Sequence, residues 1–196
     1  GNSYMNILWT TAGVDTVKLH VQSPCMDTII KYVVTIYGLP TAGITLPSPA
    51  CEGSPLTFTG SGGVSYNWTF SFGSPSSSVG ANPVITYPLA GNYPVNLSVT
   101  DANGCTANAI TSITVNPLPT ALISGSGSVC SWPATVSFTA VTAPGYTFLW
   151  STGATTASIT ATISSTTVFY CTVTNAFGCT KQSNAKIITD GVCDTI

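Results

Sequence analysis

An internal repeat constrains the fold of this chain more than any other feature of its sequence. The segment that begins at Val99 reads Val-Thr-Asp-Ala-Asn-Gly-Cys-Thr, and the segment that begins at Val173 reads Val-Thr-Asn-Ala-Phe-Gly-Cys-Thr. Upstream of both, a Leu-Pro-Thr-Ala stretch recurs, and so does a cysteine, with Cys51 and Cys130 79 positions apart. A repeat of this kind predicts that one structural unit is built more than once.

Each copy contains stretches in which apolar and polar residues alternate. Tyr93, Val95, Leu97 and Val99 fall on one face of a segment whose other residues are polar or proline. This period of two is typical of half-buried antiparallel strands. Short strands between Gly, Asn and Pro turns, at about 80 residues per unit, are typical of β-sandwiches. We therefore predict an all-β chain of tandem immunoglobulin-like β-sandwich domains in a linear array.

The first 38 residues match the second half of the same unit, because residues 12–25 align with residues 90–105. A half-sandwich would expose an apolar face and an unpaired edge. The missing strands are therefore expected from elsewhere in a longer chain, or from another subunit by strand donation. The predicted domains are residues 1–38 as the C-terminal half of a sandwich, residues 39–118 and 119–190 as complete sandwiches, and residues 191–196 as a linker or the start of the next domain.

Four cysteines occupy equivalent places in the two complete copies. Cys51 and Cys130 precede the second strand, whereas Cys105 and Cys179 lie in the final hairpin. We predict the pairs Cys51–Cys105 and Cys130–Cys179, each closing a loop of about 50 residues and contributing roughly 4 kcal/mol. Cys171 lies on the inward face of its strand and is interpreted as a buried thiol. Its pairing with Cys130 is the alternative.

The other two cysteines are expected to bond to residues outside the chain. Cys25 is the counterpart of Cys105, so its partner belongs to the missing half-domain. Cys193 follows the last predicted strand. Seven cysteines in a chain with few charges indicate disulfides and an oxidising, extracellular location.

The composition excludes several classes of partner. Only 5% of the residues are charged, and the net charge is −2. No basic surface is therefore available for nucleic acid or for anionic lipid. No uninterrupted apolar run approaches the roughly 18 residues of a membrane-spanning helix, so no membrane insertion is predicted.

Candidate residues for chemistry are few. His20 is the only histidine and alternates outward on its strand, and Glu52 is the only glutamate. The paired carboxylates of a glycosidase are therefore not evident. No enzyme activity and no cofactor are predicted, and a structural calcium ion at Asp101 is the alternative, although calcium needs six to eight oxygen ligands. Trp132 is the candidate for an exposed aromatic, packing on a neighbouring domain or stacking on sugar.

These motifs resemble two kinds of domain. The mid-strand Trp68 and the stretch Gly-Asn-Tyr-Pro-Val-Asn-Leu-Ser-Val-Thr-Asp-Ala-Asn-Gly-Cys-Thr from Gly91 resemble the polycystic-kidney-disease-like (PKD-like) domain. Residues 149–180 resemble the immunoglobulin-like repeats found beside such domains in large Bacteroidota surface proteins. The resemblance implies PKD-like sandwiches before residue 119 and an immunoglobulin-like one after it. It also implies a place in long surface stalks of the gliding or adhesin type, exported by the type IX secretion system.

Three tripeptides resemble the Asp-Ser/Thr-aliphatic sequon for O-glycosylation in the same phylum. They predict sugars on Thr16, Thr28 and Thr195. A sugar coat would hydrate a surface that has little charge of its own.

The sequence therefore favours a non-catalytic structural segment of an extracellular stalk, adhesin or filament at the cell surface. Its expected partners are neighbouring domains of the same array or like subunits, with glycans as a further candidate. The alternatives are an accessory carbohydrate-binding module of a secreted enzyme and a fibre subunit that polymerises by strand exchange.

Overall fold

The structure is a computed structural model that describes residues 5–190. Within these residues, all regular structure is β-strand, in nineteen strands without a helix. The prediction of an all-β sandwich fold is confirmed. None of the residues so described forms a helix that is long and apolar enough to cross a membrane.

An N-terminal hairpin comes first, made of β1 (Gly13–Ser23) and β2 (Met26–Ile36). The two strands pair antiparallel over their whole length. In the described part of the chain, neither strand has a second neighbour. Apolar side chains on one face of the hairpin are exposed, for example Leu19 at 52% and Tyr32 at 62%.

The first unit has eight strands. They are β3 (Gly43–Thr45), β4 (Pro55–Thr57), β5 (Thr59–Ser61), β6 (Ser65–Phe70), β7 (Ser77–Ser78), β8 (Val84–Thr86), β9 (Gly91–Thr100) and β10 (Thr106–Val115). One layer has the order β10-β9-β6-β7, and the other is made of the pairs β3-β5 and β4-β8. Residues from both layers meet in one buried cluster, which is the arrangement of a β-sandwich.

The core of the first unit is aromatic. Trp68 is fully buried, and its indole N–H donates to the carbonyl oxygen of Gly80 at 2.9 Å. Its ring stacks on Phe70 with the centroids 5.5 Å apart. Val95, Leu97 and the other inward residues of β9 complete the cluster. The alternation read from the sequence therefore does divide the buried face of β9 from its exposed face.

The second unit follows a linker and has nine strands. They are β11 (Ile123–Gly125), β12 (Ser128–Val129), β13 (Ala134–Ala140), β14 (Thr147–Trp150), β15 (Ser158–Ile163), β16 (Thr167–Phe169), β17 (Cys171–Thr174), β18 (Thr180–Gln182) and β19 (Lys186–Asp190). One layer has the order β11-β13-β15, and the other is made of β14-β17-β18 and β12-β19-β16.

The second core repeats the first around another tryptophan. Trp150 is 2% exposed, and its indole N–H donates to the carbonyl oxygen of Thr156 at 2.8 Å. Phe138 and Phe169 pack beside it. A buried indole needs such a partner because its N–H would otherwise lose a hydrogen bond to water. Both mid-strand tryptophans are thus core residues.

Candidate functional site: the junction between the two units

The two units meet where a loop of the first contacts a turn of the second. The junction loop is residues 49–52, and the junction turn is residues 175–179. A disulfide joins Cys51 of the loop to Cys179 of the turn, with a Cα–Cα distance of 5.6 Å. Cys51 is 7% exposed and Cys179 is fully buried. The bond therefore lies inside the contact between the units.

The junction turn is fixed by its own sequence. The side-chain oxygen of Asn175 accepts hydrogen bonds from the backbone N–H groups of Phe177 and Cys179, both at 3.0 Å. The backbone N–H of Asn175 donates to the carbonyl oxygen of Cys179 at 3.0 Å. Gly178 has a φ of 82°, a value that glycine adopts without steric cost. Asx side chains commonly form turns in this way.

The amide of Asn175 also connects the two units. Its Nδ2 donates to the carbonyl oxygen of Pro117, at the end of the first unit, at 2.8 Å. Asn175 is only 8% exposed. A buried amide that lacked partners would cost free energy, and here both its oxygen and its nitrogen are satisfied. An Asp at position 175 could not fill this role, because its side chain has no N–H to donate.

The junction loop is held against the end of β10. The backbone N–H of Asn116 donates to the carbonyl oxygen of Ala50 at 2.8 Å, and Glu52 N–H donates to the carbonyl oxygen of Asn116 at 3.0 Å. The carboxylate of Glu52 accepts from the N–H of Leu118 at 3.1 Å and from the N–H of Ala90 at 3.0 Å. Hydrogen bonds to a charged acceptor are stronger than neutral ones. The only glutamate of the chain therefore fixes the start of the linker.

The predicted pairs Cys51–Cys105 and Cys130–Cys179 are both wrong. The backbone of Cys51 pairs with that of Asn116 in an isolated β-bridge, just beyond the end of β10. Cys105 instead directly precedes β10. At roughly 3.4 Å per residue, this strand of ten residues separates the two cysteines by about 34 Å. A disulfide needs Cα atoms within about 7 Å. The cysteines of one unit therefore lie at opposite ends of it.

The remaining cysteines are in different states. Cys105 and Cys25 are free thiols, half-buried and exposed respectively. Cys171 is a free thiol that is fully buried, which confirms its interpretation as a small core residue and contradicts the alternative bond to Cys130. Cys130 is itself disulfide-bonded. The predicted external bond of Cys193 lies outside the described residues.

Trp132 is not the exposed aromatic that the sequence suggested. It is half-buried and packs against the core of its own unit. Its peptide bond to Pro133 is cis. The prediction placed it on a neighbouring domain or on sugar because Cys-Ser-Trp-Pro precedes a strand. The structure instead turns the indole inward.

Two of the three predicted glycosylation positions are described. Thr16 and Thr28 lie on the N-terminal hairpin, and both side chains are exposed. Thr195 lies outside the described residues. Modification at any of the three stays a prediction.

Two buried groups have shifted ionisation. Burial raises the pKa of Tyr87 to about 12, and the nearby Tyr93 adds to the shift. Burial also raises the pKa of Cys171, partly offset by a hydrogen bond from the backbone of Leu149. Both shifts favour the neutral form, so neither group is prepared to act as a nucleophile near neutral pH.

Asp101, the candidate for calcium, uses one carboxylate oxygen within its own turn. Its Oδ1 accepts from Asn103 N–H at 2.8 Å and from Cys105 N–H at 2.9 Å. Across residues 5–190, no three or more His, Cys, Asp or Glu side chains are grouped so that they could hold a metal ion. His20 contacts Asp27, and both are exposed on the N-terminal hairpin.

Known proteins share features with parts of this chain. The PKD domain family matches residues 38–115. The chain is similar to the fibronectin(III)-like modules of Clostridium thermocellum CbhA, with 11% identity over 74% of this chain and 92% of that one, and a TM-score of 0.39. It is similar to the amphioxus IgVJ-C2 molecule, with 14% identity, 78% and 98% coverage and a TM-score of 0.30.

A further similarity is to SGBP-B of the mixed-linkage glucan utilization locus of Bacteroides ovatus, which was solved with a mixed-linkage heptasaccharide. The identity is 15%, the coverage is 91% of this chain and 53% of that one, and the TM-score is 0.23. The match to the PKD domain family spans all the strands of the first unit, so that unit is similar in sequence to a PKD domain. Such domains are typically non-catalytic structural modules or modules associated with carbohydrate.

Proposed function

We propose that this chain is a non-catalytic structural segment of an extracellular stalk, adhesin or filament, in which sandwich units are joined end to end. The junction is the observation that carries the proposal. It combines a disulfide, a buried interdomain amide and a linker whose Pro119 is buried. Proline also restricts the residue before it. The two units are thereby held in one orientation, which a stalk requires and an independent binding module does not.

The disulfide gives this junction a mechanical role. Cys51 lies near the start of the first unit and Cys179 lies near the end of the second, with a sequence separation of 128. When the chain is pulled from its two ends, tension passes from Cys51 to Cys179 through the sulfur–sulfur bond. The segments between them, which include nearly all of both cores, carry no load. Both units then stay at fixed length under force.

An extracellular location is part of the same proposal. Disulfides persist in oxidising surroundings and are rare where glutathione keeps thiols reduced. The buried position of the Cys51–Cys179 bond supports a permanent structural link rather than a transient one.

The two alternatives have less support. Carbohydrate binding relied on Trp132, whose ring packs inward. Strand exchange between subunits relied on the N-terminal hairpin. Its apolar face is exposed, but the linker that follows it has the same Leu-Pro-Thr-Ala sequence as the linker between the two units. The hairpin is thus better understood as part of another unit in the same line.

Single-molecule pulling from the two chain ends tests the proposal. Without reductant, the chain should extend only by the residues outside the Cys51–Cys179 loop. After stretching in the presence of reductant, it should lengthen by about 450 Å, since 128 residues contribute roughly 3.5 Å each. A Cys105→Ser chain is the matched control and should behave like the parent. Full extension before reduction would overturn the proposal.

A further inference from the structure

We propose that Cys105 is a bonding site for a preceding sandwich unit. It forms a disulfide with a cysteine that lies, as Cys51 does, in the loop before the second strand of that unit. The unit in question is the one to which the N-terminal hairpin belongs. This inference deepens the proposed function by naming a covalent partner, and it rests on the end-to-end arrangement of units.

The turn that contains Cys105 is the same structure as the junction turn. Asp101 N–H donates to the carbonyl oxygen of Cys105 at 2.9 Å, as Asn175 N–H does to that of Cys179 at 3.0 Å. The side-chain oxygen of Asp101 accepts from the N–H groups two and four residues later, as that of Asn175 does. The φ of the glycine before the cysteine is 84° in one turn and 82° in the other. Cys105 therefore occupies the same position in its turn as Cys179 does in the junction turn.

The segments that lead into the two units are also equivalent. The N-terminal hairpin ends at Ile36 and is followed by Leu-Pro-Thr-Ala before β3, while β10 ends at Val115 and is followed by Leu-Pro-Thr-Ala before β11. The same linker after the same kind of hairpin directs the preceding unit onto the turn of Cys105. The hairpin itself shows what is missing, because its apolar residues are uncovered. On the face of Leu19 they are Leu19, Val21, Ile30 and Tyr32.

The two turns differ in what covers them. At the junction, the loop of residues 49–52 covers the turn, so that Asn175 is 8% exposed and Cys179 fully buried. Asp101 and Cys105 are only half-buried. Leu39 is 76% exposed, whereas its counterpart Leu118 is half-buried. These differences are those expected if a loop equivalent to residues 49–52 belongs over the turn of Cys105.

Two residues differ between the turns in a way that fits a second junction whose hydrogen bond runs in the opposite direction. At the junction, Asn175 donates to the carbonyl oxygen of Pro117, which has no N–H of its own. Asp101 replaces Asn175 and can only accept when ionised. The position of Pro117 is taken by Gly38, 79 positions earlier, and Gly38 has a backbone N–H. A donor is therefore present where the acceptor side chain needs one.

The bond forms by thiol–disulfide exchange. The thiolate of one cysteine attacks an oxidant disulfide, such as that of a thiol oxidoreductase, and releases one oxidant thiol. The second protein thiolate then attacks the mixed disulfide and releases the other. One protein disulfide forms and one oxidant disulfide is reduced to two thiols, which take up both electrons and both protons.

Peptide mapping of the native, non-reduced protein tests the proposal. Free thiols are first blocked with N-ethylmaleimide, and digestion with pepsin at acidic pH prevents exchange. The Cys105 peptide should be linked to a cysteine peptide from the same polypeptide, N-terminal to the hairpin. The Cys51–Cys179 link is the internal positive control. The proposal would be overturned if Cys105 were found blocked as a free thiol. A link from Cys105 to Cys25, Cys51 or Cys171, or to a second polypeptide, would also overturn it.

A variant gives an independent readout in the same full-length protein. Cys105→Ser should release exactly one new reactive thiol on its partner, which raises the count of blocked cysteines elsewhere by one. Cys171→Ser is the matched control and should release none, because Cys171 is a free thiol. An unchanged count in the Cys105→Ser protein would overturn the proposal. The pulling measurement follows the release of the Cys51–Cys179 loop and does not require a bond at Cys105, so failure of this bond and failure of the proposed function are distinguishable.

Discussion

The turns at residues 101–105 and 175–179 have the same backbone hydrogen bonds but different surroundings. Each uses an Asx side chain as acceptor and a glycine with positive φ. Only the second is buried, disulfide-bonded and tied by its amide to another unit. The local sequence therefore determines the shape of the turn, and the neighbouring unit determines its chemistry. A cysteine in such a turn is positioned for a bond between units rather than within one.

The largest expected effect comes from removing the bond that distinguishes the two turns. The combined variant Cys51→Ser and Cys179→Ser should lose about 5 kcal/mol of stability in the chain-entropy model, because the bond closes a loop of 128 residues. Non-reducing guanidinium denaturation, followed for each core by tryptophan fluorescence, measures the loss. Replacing both cysteines avoids leaving one of the pair as a new unpaired thiol.

The matched control is Cys105→Ser in the 196-residue chain, where Cys105 is a free thiol. Its unfolding free energy should stay within about 0.5 kcal/mol of the parent, as is usual for a surface substitution. An equal loss in the control and in the double variant would mean that the junction disulfide contributes nothing specific.

A second expected effect is a loss of stability at alkaline pH that arises in the first core and not in the second. Tyr87 is fully buried in the first core, stacked on Tyr93 with centroids 4.6 Å apart, and its pKa is about 12. In the unfolded chain, a tyrosine has a pKa of about 10. Below pH 10, Tyr87 is protonated in both the folded and the unfolded state, and its full contribution to the unfolding free energy is present. Between pH 10 and 12 the unfolded chain loses its proton first, so the unfolding free energy should fall by about 2–3 kcal/mol.

Denaturation of the first core at pH 9 and at pH 12 checks this sign and size. Tyr87→Phe should remove most of the decrease, because it removes the group that titrates. Tyr170→Phe is the control, since Tyr170 is 37% exposed and lies in the second unit. If Tyr87→Phe left the alkaline decrease unchanged, another group would have to be its cause.

The sequence predicted much of the fold because strands and cores depend on local patterns. The alternation at Val95, Leu97 and Val99 predicted the buried face of β9. The prediction that Trp132 is exposed was wrong, because a Trp-Pro pair before a strand does not specify which way the indole turns. That direction depends on packing against residues distant in sequence.

The cysteine pairing was wrong for a topological reason. The repeat showed that Cys51 and Cys130 are equivalent, and that Cys105 and Cys179 are equivalent. It could not show whether the bond runs within a unit or between units, since both satisfy the repeat. One signal was available. In an immunoglobulin-like sandwich, the loop before the second strand and the turn between the last two strands lie at opposite ends. Only a neighbouring unit can bring them together.

The smallest effect comes from exchanging the Asx residues of the two turns. Asn175→Asp keeps the oxygen that accepts the turn hydrogen bonds but removes the N–H donor to Pro117. A carboxylate then faces a carbonyl oxygen in a nearly buried position, which should cost about 2 kcal/mol at neutral pH. Asp101→Asn makes the reverse change in a half-buried turn, and its stability should stay within about 0.5 kcal/mol of the parent.

Measuring both variants at pH 7 and pH 3 shows whether the amide is the cause. At pH 3 the carboxyl introduced by Asn175→Asp is protonated, and its O–H can donate to the carbonyl oxygen of Pro117 in place of the lost amide. Stability relative to the parent should therefore recover in part as the pH falls. Asp101→Asn should show no such recovery because its turn has no interdomain acceptor. Equal losses in both variants, or a loss independent of pH, would mean that burial of the turn and not its amide joins the units.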